Sequence, residues 1–168
     1  MFRKRLPLSE LTAPLTDVLE HWRARGGEDL ACPWPRFEMH QLPPPVLPTT
    51  LVIDVFDDME RNRFRYWGSR MTLIHGSDMT GKSPYDMSPR DFARDLRDQH
   101  REIRDTREAI AYELEFAHER GFLQQHTVLR VPLSDDGHSI SHIVGVVWYS
   151  LESMRELGLG GYNGLFGH

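Results

Sequence analysis

Two apolar runs joined by one tight turn constrain this chain most. Residues 122–133 and 138–150 are rich in Val, Ile, Leu, Trp and Tyr, and Ser134-Asp-Asp-Gly137 lies between them. Runs of that composition around a Gly-containing polar turn predict an antiparallel hairpin. A hairpin alone is marginal in water, so the chain must supply further strands and a cover for at least one face.

The further strands are found upstream. Thr50–Phe56 is rich in β-branched residues, and after a polar turn at 57–62 the run Arg63–Ser69 closes a second hairpin. Strict alternation puts Phe64 and Tyr66 on one face of that strand and Arg65 and Trp67 on the other. Ala109–Phe116 fits a strand or a continued helix. The turn-like His118-Glu-Arg-Gly121 directly after it favours the strand. The final strand carries Trp148 and Tyr149.

Helices fill the intervals. Leu11, Leu15, Val18, Leu19 and Trp22 make one apolar stripe over residues 8–25, with Thr12 as N-cap, Pro14 in the first turn and Gly26-Gly27 as the stop. That stripe predicts either a helix lying on its own domain or a homodimer helix. A second helix runs from Pro89, capped by Ser88, to about Asp105, with Phe92, Leu96, Gln99 or His100, and Ile103 on one face. Residues 28–49 are rich in Pro with apolar residues interleaved, which predicts an extended strap in polyproline geometry. The predicted organisation is therefore an N-terminal helix (1–27), a strap (28–49), an α+β core (50–150) with a five-stranded antiparallel sheet and helices on one face, and a Gly-rich tail (151–168) that is loose over 157–168.

Composition excludes several classes. The chain has 168 residues and a net charge of −5, with 20 basic against 25 acidic residues. Basic residues alternate with acids except at Arg3-Lys4-Arg5, which argues against a nucleic-acid surface. The single cysteine, Cys32, allows no internal disulfide and is too little for a structural zinc site. No apolar run reaches membrane-spanning length, and no signal peptide is visible, so a cytoplasmic location is expected. Of the nine histidines, His138 and His142 are too far apart along a strand to chelate. His118 and His126 could meet across a turn as a zinc pair. No serine has nucleophile-elbow context, and no catalytic residues are expected.

Gly76-Ser-Asp-Met-Thr-Gly81-Lys82-Ser83 matches the phosphate-binding pattern G-x-x-x-x-G-K-[ST] by letters. That motif works only where a buried strand feeds the loop and a helix opens at the lysine. Pro84 and Pro89 follow closely here, and no downstream strand ends in Asp. A nucleotide site at 76–83 therefore ranks last among the functional readings.

The order of elements resembles the PAS domain family, in particular the single-domain PAS proteins of alphaproteobacteria. The likeness rests on Trp22-Arg23 with Gly26-Gly27, Leu47-Pro48, Phe64-Arg-Tyr-Trp-Gly-Ser69, Ile74-His-Gly76, Asp78-Met-Thr-Gly-Lys-Ser83 and Val131-Pro-Leu-Ser-Asp-Asp-Gly137, and covers about residues 12–150. It implies a sheet and helices enclosing a small cavity, and a sensory or interaction module that signals in trans to a protein partner. In such a fold the ligand-binding candidates are Tyr66, Trp67, His75, Tyr85, His100 and Trp148. One of Tyr66/Trp67 and one of Trp148/Tyr149 should face the cavity, with residues 69–83 in its wall and His75 or Tyr85 as polar contact. The residues name no cofactor. His100 lies on a helix comparable to the one that carries the haem ligand in haem-binding relatives, so a haem sensor stays open, as does a ligand-free adaptor. Cys32 lies far from the position of the reactive cysteine in flavin-binding relatives, against covalent flavin photochemistry.

Overall fold

A computed structural model describes residues 2–117 and 123–158. Six antiparallel strands form one sheet in the order β1-β4-β5-β6-β2-β3. They are β1 (Phe2–Leu6), β2 (Thr50–Asp54), β3 (Arg63–Trp67), β4 (Ile110–Ala117), β5 (Leu123–Leu133) and β6 (His142–Tyr149). The expected α+β sheet is present with one strand more than the five predicted. The extra strand is β1, which pairs with β4 along Phe2–Leu6 against Ala111–Glu115. Its Arg3-Lys4-Arg5 run shows no alternation of burial, as suits an exposed edge that charge protects from further pairing.

Both faces of the sheet are covered, not one. On the first face lie α1 (Leu15–Ala24) and the strap, packed on Val52, Ala111, Leu129, Val131, Val144 and Val146. On the second, the inner face, lie α3 (Ser69–His75) and α4 (Arg90–Thr106), packed on Leu51, Ile53, Ile110, Val128 and Val147. The predicted stripe Leu11, Leu15, Val18, Leu19, Trp22 is buried within its own chain, so the dimer helix inferred from that stripe is corrected to a core helix. Leu15 opens the helix and Pro14 takes the cap position that Thr12 was expected to fill; Pro89 likewise displaces Ser88 at α4.

The strap is not polyproline. It folds into short helical turns: α2 (Trp34–Phe37) and 3₁₀ turns at Gly27–Asp29, Met39–Gln41 and Pro44–Thr49. Proline suits the first turn of such helices because its missing N–H has no partner there anyway. The last strand begins at His142, not His138, because the Asp136 carboxylate accepts from the amides of His138 and Ser139 and prolongs the turn. The segment assigned to the Gly-rich tail opens with a helix, α5 (Leu151–Glu156), capped by Ser150. The remaining tail from 159 and the turn at 118–121 lie outside the described residues.

Candidate functional site

A β-bulge decides which aromatic side chains face inward. Ile53 pairs with Phe64 and Val52 with Tyr66, so Arg65 is an extra residue in β3. Phe64 and Trp67 therefore share the inner face, and Tyr66 turns to the other. This corrects the strict alternation read from sequence. On β6, Tyr149 faces inward and Trp148 packs on the opposite layer. Of the six candidates, Tyr66 and Trp148 thus lie across the sheet from the rest, and the Tyr66 hydroxyl donates to the Leu47 carbonyl at 3.3 Å.

The other four candidates gather on the inner side. Trp67 packs edge-on to Phe64 and His75, with ring centroids 4.8 and 5.4 Å apart. His75 stands in the wall of a small cavity with Met71, Met87, Phe92, His126, Arg130 and Tyr149. Tyr85 contacts His100 rather than the cavity. Asn62 Oδ1 accepts from the Phe56 amide, and its Nδ2 donates to the Tyr85 hydroxyl at 2.9 Å. The Tyr85 O–H is then free to donate to His100 Nδ1, 3.2 Å away. That leaves the imidazole proton on His100 Nε2, a buried donor with no partner. His100 is 1% exposed, not solvent-facing, and burial with the nearby Arg130 charge holds it well below its ordinary pKa.

The centre of this layer is Arg130, which sequence reasoning missed. It points inward from β5 at 2% exposure, opposite Gly145 of β6. A Cβ on Gly145 would lie 2.6 Å from Arg130 Nη1, so the missing side chain is what makes room for the guanidinium. Arg130 Nε donates to Gln99 Oε1 at 2.8 Å, Gln99 Nε2 donates to Asp95 Oδ2 at 2.6 Å, and Arg3 of β1 pairs with Asp95 Oδ1 at 2.7 Å. Arg130 Nη1 has no partner. Burial lowers the Arg130 pKa to about 10, which leaves it charged at neutral pH. His126 is pushed down to about 3 by burial and the Arg130 charge, and is neutral. The layer therefore holds one buried cation whose nearest acceptor is an amide. An isolated buried charge costs on the order of several kcal/mol, so the arrangement is not one that stability alone favours. The sequence signal was a lone charged residue inside Thr127-Val-Leu-Arg-Val-Pro-Leu133 with a glycine in the facing strand.

The enclosed cavity measures about 10 Å³, roughly the space of one water molecule. Neither a haem macrocycle nor a flavin fits there, although His100 Nε2 is unpartnered. Cys32 is buried in the layer across the sheet, and burial raises its thiol pKa. A larger open cleft of about 540 Å³ lies outside, along Tyr85, Arg90, Arg94 and Arg97. Two of its three arginines are matched: Arg94 pairs with Asp91, and Arg97 with Glu60.

The segment 76–83 does not build a phosphate cradle. A helix, α3, feeds it instead of a strand, and only a three-residue 3₁₀ turn follows. The Gly81 amide donates to the Phe64 carbonyl and the Lys82 amide to that of Met79, so both face the protein. Among the described residues no group of three or more His, Cys, Asp or Glu is placed to hold a metal ion. No described helix is long and apolar enough to cross a membrane.

No family model and no curated protein matches the sequence. Solved structures match by shape. An RNA-binding Light-Oxygen-Voltage receptor superposes with a TM-score of 0.53 at 13% identity, covering 95% of this chain and 41% of the receptor. The Vibrio cholerae VqmA dimer gives 0.51 at 16% identity, covering 66% of this chain and 51% of that one. VqmA bound to DPO gives 0.50 at 16% identity, covering 62% and 53%. The chain thus spans about half the length of these proteins or less. Sheet order and these matches agree on one architecture: the chain has an α+β fold of PAS type.

Proposed function

We propose that the chain is a non-catalytic PAS-type sensory module that receives a small guest on the inner sheet face and signals in trans to a protein partner. One observation carries this reading: the unbroken chain Arg130–Gln99–Asp95–Arg3, with steps of 2.8, 2.6 and 2.7 Å. It runs from the buried layer to the edge strand β1. A guest that competes for Arg130 alters what Gln99 and Asp95 have to hold, and so alters the grip on β1. The neighbours lend support by type: one is a light receptor, another is a protein seen bound to DPO. The partner is read as protein because Arg94, Arg97, Arg101 and Arg104 of α4 are each paired with an acid, which leaves no run of uncompensated arginines along the helix for nucleic acid.

Amide hydrogen exchange tests the reading. Gln99→Leu breaks the relay in the middle and should raise exchange across Phe2–Leu6 while leaving β5 and β6 protected. Unchanged exchange in β1 overturns it. The water-sized cavity favours a second reading, a ligand-free adaptor with a packed core, and that reading then takes its place.

A further inference from the structure

We propose that the cavity beside Arg130 binds a compact monoanion, of the size of chloride or formate; this rests on the inner face being the sensory input.

Three features of the layer point to that chemistry. First, its charge is unbalanced. The guanidinium is buried, its one side-chain partner is the neutral Gln99, and Asp95 behind that amide is shared with Arg3. Burial and the Arg130 charge keep His100 and His126 neutral, so neither adds nor cancels charge.

Second, the Arg130 guanidinium lacks an acceptor at Nη1. Arg130 Nη1, His100 Nε2 and Trp67 Nε1 are buried N–H donors without partners, and of these Arg130 belongs to the cavity wall. A water molecule would accept from a donor but leave the charge. An anion answers both needs, and bonds from a charged donor to an anionic acceptor are about twice as strong as neutral ones.

Third, the space selects by size. About 10 Å³ is the space of one water-sized guest, which chloride approaches and formate exceeds. Met71 and Met87 in the wall can adjust for the larger of these, since the unbranched thioether side chain repacks easily. Phosphate and sulfate are too large for that space, and their second charge has no second buried cation to meet.

Isothermal titration of the full chain tests the site, with chloride and formate as separate probes in gluconate buffer at fixed ionic strength. The expected result is saturable, single-site binding of at least one probe, weakened about tenfold or more in Arg130→Gln. No saturable binding of either probe to the folded wild-type chain overturns the proposal. So does unchanged affinity in Arg130→Gln, or sulfate binding as tightly as the monoanions. If circular dichroism shows Arg130→Gln unfolded, Gly145→Ala takes over: it keeps the charge but displaces Nη1. Weaker binding there supports the site, and unchanged binding rejects it. The β1 exchange response to Gln99→Leu is read without any anion, so a wrong ligand class and a wrong sensory reading give different results.

Discussion

Gly27 and Trp22 meet where α1 ends, and the meeting leaves no room for a methyl group. The Trp22 ring is 2% exposed, and its Nε1 donates to the Pro132 carbonyl at 2.8 Å. A Cβ on Gly27 would sit 2.1 Å from Trp22 Cε2. The ring cannot retreat without losing that hydrogen bond and its packing, so Gly27→Ala should destabilise by about 3 kcal/mol. Its neighbour Gly26 is different. There φ is +82° and a Cβ would touch Ala31 Cβ at 3.1 Å, so Gly26→Ala should cost about 1 kcal/mol, mostly backbone strain. Urea midpoints of the two variants test the order, and equal losses would mean that the Trp22 ring is not held as described. The sequence shows this Gly-Gly pair as a helix stop. That the second glycine serves space and the first conformation depends on where Pro132 lies, more than a hundred residues away in the chain.

At the scale of elements, the stripe on α1 was legible and its destination was not. Periodicity tells which face is apolar but not which surface covers it. Here the cover is the chain's own sheet, whose first face presents Leu129, Val131, Val144 and Val146. Burying Leu11, Leu15, Val18, Leu19 and Trp22 contributes about 7 kcal/mol or more at roughly 1.5–3 kcal/mol each, comparable with the whole stability of a small domain. A chain that starts at Gly26 should therefore aggregate or melt at much lower temperature rather than remain a folded monomer. Light scattering and thermal melting test this; a stable truncated monomer would remove α1 from the core. The same limit explains the other gains and misses. The β5–β6 hairpin and α4 were readable because their patterns repeat. β1 was not, since an edge strand needs pairing but no alternation, and Phe2-Arg-Lys-Arg-Leu6 has none. The inward turn of Trp67 depended on a one-residue bulge at Arg65, which period-two counting cannot see. In the candidate site, His75, Tyr85 and His100 were found as polar residues near the predicted cavity. Arg130 was passed over because a charged residue in a strand normally faces water. Only the facing glycine, the amide of Gln99 and Asp95 behind it make an inward arginine tenable.

At the scale of the whole molecule, the two layers differ in kind. The layer under α1 is largely apolar, whereas the inner layer carries Arg130, His100 and His126 buried among methionines and aromatic rings. That asymmetry sets the acid behaviour of the protein. The two histidines of the inner layer, His100 and His126, have folded-state pKa values below the ordinary 6.5, with His126 at about 3, and burial is the main cause. In the unfolded chain they regain ordinary values and take up protons that the folded chain refuses. Their contribution to stability is therefore fully present above about pH 6.5 and is lost as pH falls from there toward the folded-state values. Each histidine adds a slope of at most about 1.4 kcal/mol per pH unit, so the pair gives about 2–3 kcal/mol per unit below the midpoint. His21 and His142, which burial also lowers, add to the same decline, whereas Asp136 is held well below the usual carboxylate range by hydrogen bonds from Ser139 and His138, so the start of the decline belongs to the histidines. Urea unfolding from about pH 8 down to about pH 5 should show a plateau and then this slope. His126→Gln, which cannot titrate, should lower it by up to about 1.4 kcal/mol per pH unit. A stability that stays flat across the window, or a slope that the variant leaves intact, would mean that the inner layer admits protons in the folded state and that the charge of Arg130 is not isolated as the geometry describes.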